Sequence, residues 1–212
     1  MKIAFIGYGN VGRPLALSLQ SLGHQVTLAS SRPDTDTVQK VLSKNPGIGV
    51  ARPVDAAAES DIVFLATPFQ ANQEALLPAR DALSGKILVD CTNPVGAGIT
   101  HALDSNMSGS QSVQAFVPDA RVVKAFTIYG YENLENNRYP DYNMKPVMLY
   151  CGNDGEAKSI VSSLIEQLGW HPFDVGGLDQ ALHLEHMTLL WIRMVRANGH
   201  GPGLVWAVME RP

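Results

Sequence analysis

Charge is scarce in this chain. Only 17% of its 212 residues are Asp, Glu, Lys or Arg, and the net charge is -4. A nucleic-acid partner would call for a basic face, and none is indicated. There are two cysteines, Cys91 and Cys151, too few for a disulfide framework, so both are expected to be reduced thiols in the cytoplasm. No stretch approaches the roughly 18 apolar residues of a membrane span. Met1-Lys2 leads into the short apolar run Ile3 to Ile6 and then a glycine turn. That run is too short for a secretory apolar region and no cleavage site follows, so no signal peptide and no membrane association are expected. No lysine follows Leu178.

What is present is globular: 45% of residues are apolar, enough to bury a sizeable core in one or two domains. Short apolar runs alternate with stretches of helical period. Strands are expected at Ile3 to Ile6, Gln25 to Ala29, Ile48 to Ala51, Asp61 to Ala66, Lys86 to Asp90, Val122 to Ala125, Pro146 to Cys151 and His171 to Asp174. Helices are expected at Asn10 to Leu22, Val38 to Ser43, Val54 to Glu59, Gln70 to Leu83, Gln111 to Phe116, Glu156 to Leu168, Asp179 to Asn198 and Leu204 to Glu210. Continuous apolar strands such as Ile62-Val63-Phe64-Leu65-Ala66 suit a sheet covered on both faces. The pattern predicts an α/β, doubly wound, Rossmann-type and mainly parallel sheet. Residues 1–120 form its nucleotide-binding domain, and 121–212 a small C-terminal α/β extension.

Gly7-Tyr8-Gly9-Asn10-Val11-Gly12 follows the first strand directly and opens a helix, the context a dinucleotide fingerprint requires. Gly7 allows the tight turn, Gly9 lets the backbone approach the pyrophosphate, and Gly12 lets helix and strand pack closely. The helix N-terminus supplies free N–H groups for the phosphates. An NAD site usually carries Asp or Glu at the end of the second strand, about 20 residues on. Here that place reads Ala29-Ser30-Ser31-Arg32. Arg32 offers a planar fork of donors, and Ser30 or Ser31 a hydroxyl, to a 2′-phosphate. The expected cofactor is therefore NADP(H).

Ligands of an open parallel sheet sit beyond the carboxyl ends of its strands. Three segments should converge there: Ala66-Thr67-Pro68-Phe69, Asp90-Cys91-Thr92-Asn93-Pro94 and Lys124-Ala125-Phe126-Thr127-Ile128. Thr67 and Asn93 suit the ribose or carboxamide, although Thr-Pro and Asn-Pro are also ordinary loop starters. Cys91 has no evident histidine partner as a nucleophile. His183 and His186 lie three apart on the long helix, but no third ligand accompanies them, and no metal site is expected. The apolar runs Leu189 to Ile192 and Leu204 to Trp206 suit either the core or a homodimer seam.

These pieces, in this order and spacing, resemble the NADP oxidoreductases dependent on coenzyme F420, an 8-hydroxy-5-deazaflavin. They also resemble the related cytosolic domain of membrane metalloreductases. The resemblance runs from Ile3 to Gly7 through Ser31-Arg32, Val122 to Phe126, Val147 to Gly155 and Asp174 to Leu178, ending at Arg196-Ala197-Asn198-Gly199. It implies hydride transfer between NADPH and a flavin or deazaflavin, the small-molecule redox acceptor, lying between the Rossmann core and the C-terminal part. It implies that Ser31 and Arg32 meet the 2′-phosphate, and that Phe126 to Tyr129, with Thr127 and Ile128 as candidate catalytic positions, approach both redox rings. Family members often carry Asn or His in the segment that here reads Ala125 to Tyr129. An imine or ketone reductase is a second reading, but such enzymes generally have a large helical second domain with a catalytic lysine. A non-catalytic module that senses NADP(H) is a third.

Overall fold

The first strand is apolar because both of its faces are covered. In a computed structural model, which describes residues 1–211, Lys2–Ile6 form β1 and Gly12–Ser21 form α1. Gln25–Ala29 (β2), Asp36–Lys44 (α2), Ile48–Ala51 (β3), Pro53–Glu59 (α3) and Ile62–Leu65 (β4) follow. A short α4 (Asn72–Leu76) and β5 (Ile87–Asp90) complete the first half. A small hairpin, β6 (Val95–Gly96) and β7 (Thr100–His101), then leads to α5 (Gly109–Phe116) and β8 (Arg121–Lys124). The chain continues through α6 (Tyr131–Glu135), β9 (Val147–Gly152), α7 (Gly155–Gln167), β10 (His171–Asp174) and α8 (Ala181–Ile192).

Eight strands make one sheet in the order β10-β9-β8-β5-β4-β1-β2-β3. Every pairing is parallel except β8 with β9, where Lys124 faces Cys151. The order reverses direction between β1 and β4, the topological switch point beyond which a doubly wound sheet holds its ligand. Ile3 to Ile6, Ile62 to Leu65 and Ile87 to Val89 are all buried, as strands sandwiched between two helical layers must be. Helix starts are specified locally. Ser108 and Gln111 form a reciprocal capping box on α5, and Asp154 caps α7 by accepting from the Ala157 N–H at 2.7 Å. The residue-120 boundary falls between α5 and β8, and β8 pairs directly with β5.

Three expectations are corrected. The helix expected over Gln70 to Leu83 is broken into a turn at Phe69–Ala71, α4, and further 3-10 turns at Leu77–Ala79 and Asp81–Leu83. Pro78 has no N–H to continue the helical ladder. The long helix expected to Asn198 ends as an α-helix at Ile192 and widens into a π turn over Arg193–Ala197. No helix forms over Leu204 to Glu210. The Trp206 carbonyl there accepts from Val147 N–H at 2.9 Å, and its N–H donates to the Tyr129 hydroxyl at 3.1 Å. Backbone groups committed to the start of β9 are not free for a helical ladder. Among the described residues no helix is long and apolar enough to cross a membrane.

Candidate functional site

The turn after β1 is shaped by what its glycines exclude. Gly7 has φ +100, and a Cβ there would stand 2.6 Å from the backbone of Ala66. A Cβ at Gly12 would strike the Gly7 carbonyl. At Gly9 nothing lies within 4 Å of a Cβ, so its backbone borders open space. No side chain caps the N-terminus of α1 and no acidic residue occupies its first turn. Its free N–H groups and partial positive charge therefore face that space. Asn10 is exposed, and Tyr8 and Val11 are half-buried. The Tyr8 hydroxyl is buried without a partner.

On one side of the turn is a cavity of about 320 Å³, lined among others by Gly7, Ala29, Ser31, Pro53, Thr67 and Glu74. The ends of β1, β2 and β4 thus share one hollow with the turn. Ser30 donates its N–H to the Ala51 carbonyl at 2.9 Å, and its hydroxyl accepts from Arg32 N–H at 3.2 Å. Arg32 is exposed and makes no ion pair among the described residues. Ala66 floors the glycine turn, donating to the Ile6 carbonyl at 2.8 Å, and Pro68 is exposed.

Farther along the sheet the strand ends carry a polar chain. Thr67 donates to Asn72 at 2.8 Å, Asn72 to the Thr92 hydroxyl at 2.9 Å, and that hydroxyl to Asp90 Oδ1 at 2.7 Å. Asp90 Oδ2 accepts from Ser110 at 2.5 Å and lies 3.5 Å from Lys124 Nζ. Lys124 also meets Glu185 Oε1 at 3.0 Å and donates to the Thr92 carbonyl at 2.8 Å. Glu185 Oε2 in turn accepts from His101 Nε2 at 2.8 Å and Gly109 N–H at 3.0 Å. Asp90, Lys124 and Glu185 are each at most 1% exposed. Burial pulls the Lys124 ammonium down, but the Asp90 and Glu185 charges and the Glu185 hydrogen bond pull it up and prevail.

Asn93 is half-buried and Pro94 buried. The Asn93 amide reaches the Thr127 carbonyl at 3.4 Å, and Thr188 lies 3.1 Å from Asn93 Oδ1 and 2.9 Å from the same carbonyl. The ends of β5 and β8 are thereby tied to the middle of α8. Phe126 adopts φ +59 at the exit of β8, a conformation that costs a non-glycine residue roughly 1–2 kcal/mol. Its ring packs on Phe64 with centroids 5.9 Å apart. Thr127 and Ile128 are both buried, and the Thr127 hydroxyl has no partner.

Sequence reasoning placed Asp90 and Lys124 at the converging strand ends without giving them a role, gave none to Glu185, and missed His101, Ser110 and Thr188. A signal existed for Asp90 and Lys124: each interrupts an otherwise apolar run, and charges at such places are rarely buried unless paired. Cys91 is buried, and burial, followed by the Asp90 charge, pushes its thiol well above the ordinary range. Cys151 is pushed up to about 12, chiefly by burial. Neither is set up as a thiolate. His186 instead approaches the Ser105 hydroxyl at 3.1 Å, and no group of three or more metal-ligating side chains occurs among the described residues.

A doubly wound sheet with an uncapped helix at a glycine turn after the first strand has the form of a Rossmann-type dinucleotide-binding domain. The sequence profile of the NADP oxidoreductases described as coenzyme F420-dependent matches residues 2–94. The F420-dependent NADP reductase of Methanothermobacter thermautotrophicus is 30% identical over 213 residues, covering 92% of this chain and 89% of that one. A crystal structure from Arthrobacter sp. FB24, of a protein named for F420-dependent NADP reduction, superposes with a TM-score of 0.82 at 30% identity, covering 95% of this chain and 96% of that one. The rat Metalloreductase STEAP3 is 29% identical over 189 residues, which cover 89% of this chain but 36% of that protein. The chain thus spans about a third of the metalloreductase and most of the archaeal reductase. It belongs to the coenzyme F420-dependent NADP oxidoreductase family, and is an NADP-dependent oxidoreductase.

Proposed function

We propose that this protein transfers hydride between NADP(H) and a flavin or deazaflavin of the coenzyme F420 type. The observation that carries the reading is the joining of two half-sites across one sheet. The phosphate cradle and Ser31-Arg32 occupy the ends of β1 and β2, and the Asn93–Thr127–Thr188 tie occupies the ends of β5 and β8. Residues 1–120 hold the dinucleotide and 121–212 complete the acceptor side. The F420-dependent NADP reductases that align over about nine-tenths of the chain support the acceptor class.

In this reading α1 N–H groups and the backbone of Tyr8 to Val11 hold the pyrophosphate. Ser30, Ser31 and Arg32 hold the 2′-phosphate, and Ala66, Thr67 and Pro68 border the ribose. Asn93 and Pro94 border the carboxamide. When bound, the dihydronicotinamide supplies a hydride and the acceptor ring takes it up. The chain contributes orientation and exclusion of water rather than a general acid, and the buried Thr127 and Ile128 back the wall of the cleft. Leu190 on α8 is 51% exposed and is the residue a homodimer seam would use. The test is anaerobic NADPH oxidation followed by the visible spectra of F420, FMN and FAD. Rapid bleaching of one of them is expected. NADPH oxidation with none, beside turnover of an imine or ketone, overturns the acceptor assignment.

A further inference from the structure

The buried knot around Lys124 carries a net charge that hydrogen-bond accounting fixes. Asp90 receives the Thr92 N–H at 2.9 Å, the Thr92 hydroxyl, the Ser110 hydroxyl and the Lys124 ammonium. Glu185 receives Lys124, His101 Nε2, and the N–H groups of Gly109 and Ser110. Every partner of either group is a donor, as two carboxylates require. Lys124 faces three acceptors and is an ammonium. His101 Nδ1 accepts from the N–H of Leu103 at 3.3 Å and of Ser105 at 3.2 Å. That ring nitrogen therefore carries no proton, and the proton sits on Nε2, pointing at Glu185. Two negative charges stand against one positive charge, and the remainder is one uncompensated negative charge.

This charge lies directly behind a strand exit. Lys124 grips the carbonyl of Thr92, and Asp90 grips its N–H and hydroxyl, one residue before Asn93. The oxidised nicotinamide ring carries a positive charge and the reduced ring carries none. An anion fixed in low dielectric stabilises the first and not the second, and solvent screens it little.

We propose that the buried Asp90–Lys124–Glu185 cluster is a redox-tuning device that binds NADP⁺ more tightly relative to NADPH, making the bound cofactor a stronger hydride donor. The proposal rests on the reading above that the nicotinamide lies at the β5 exit. The cluster residues touch no cofactor and act as positioning and electrostatic groups.

Dissociation constants for NADP⁺ and NADPH, measured by calorimetry on the wild type, Asp90→Asn and Glu185→Gln, test it without any acceptor. A unit charge acting over about 10 Å at an effective dielectric of about 20 changes a binding ratio by roughly tenfold. The Kd ratio of NADP⁺ to NADPH is expected to rise about threefold or more in each neutralised variant that folds by circular dichroism. Equal weakening of both cofactors, or an unchanged ratio, overturns the tuning role while leaving the proposed function intact. If neither cofactor binds the wild type, the proposed function itself fails. Should both single variants unfold, the same ratio is read in Ser110→Ala. That change strips a 2.5 Å hydrogen bond from Asp90 without removing its charge. A ratio shifted toward NADP⁺ is then expected, and an unchanged ratio or a shift toward NADPH overturns the proposal.

Discussion

The Lys124 ammonium at the end of β8 and the Glu185 carboxylate on α8 meet at 3.0 Å, with side chains 0% and 1% exposed. Removing the Glu185 carboxylate leaves Lys124 with Asp90 but takes the acceptor from His101 Nε2 and from the Gly109 and Ser110 N–H groups. At roughly 1–3 kcal/mol for each buried donor left without an acceptor, Glu185→Ala is expected to destabilise the fold by about 3 kcal/mol or more, measured by urea denaturation; a loss under about 1 kcal/mol would mean that water reaches the knot. The same pair sets an alkaline limit. The folded Lys124 value is raised, so its contribution is fully present below the unfolded lysine value of about 10.4 and is lost as pH climbs through the higher folded value. Between those two values, stability of the wild type should fall more steeply than stability of Lys124→Met.

Gly9→Val should leave a folded protein that scarcely binds NADPH. The site borders open space and its φ is not in the left-handed region, so a side chain fits the free fold but stands in the phosphate path. Calorimetry beside a melting curve separates the two effects. Unchanged affinity would remove this turn from the cofactor site.

Arg32→Ala should weaken NADPH binding about tenfold or more and leave NADH nearly unchanged. Hydrogen bonds to charged groups contribute on the order of 1.5–3 kcal/mol, and exposure with salt screening favours the low end. The loss should shrink as salt rises. Equal losses for both cofactors would assign Arg32 to the fold or to adenine.

Thr127→Val keeps the shape and removes a buried hydroxyl that has no partner. The free protein should gain about 1 kcal/mol, the sign expected when an unsatisfied polar atom is replaced by an apolar one. NADPH binding and hydride transfer should change little, because the hydroxyl is sealed from the cleft. A less stable variant with wild-type kinetics would give the hydroxyl a structural duty instead.

The first half was the more legible in sequence because its signals are local. Ile3 to Ile6 followed by Gly7, and Ile62 to Leu65 followed by Thr67-Pro68, declare strand and exit within a few residues. The Ser30 to Arg32 segment stands out by the absence of a carboxylate at a counted position. The second half is specified at long range. Nothing near Trp206 announces that its backbone will bond to Val147 and Tyr129, so its apolar period read as a helix. The direction of β9 depends on its partner, and Phe126 gives no local hint of a positive φ. The cluster around Lys124 draws on five separate segments, which no spacing rule connects.

The tether at the β5 exit also orders events in time. Thr188 and Asn93 are 95 positions apart, and Tyr129 and Trp206 are 77 apart. Each such contact closes a long loop whose entropy must be lost before the contact returns anything. The phosphate cradle needs only β1, α1 and the neighbouring strands. A chain synthesised through β5 therefore already holds every residue of its glycine turn, whereas the contacts that tie β5 and β8 to α8 wait for residues 61 to 95 positions further on.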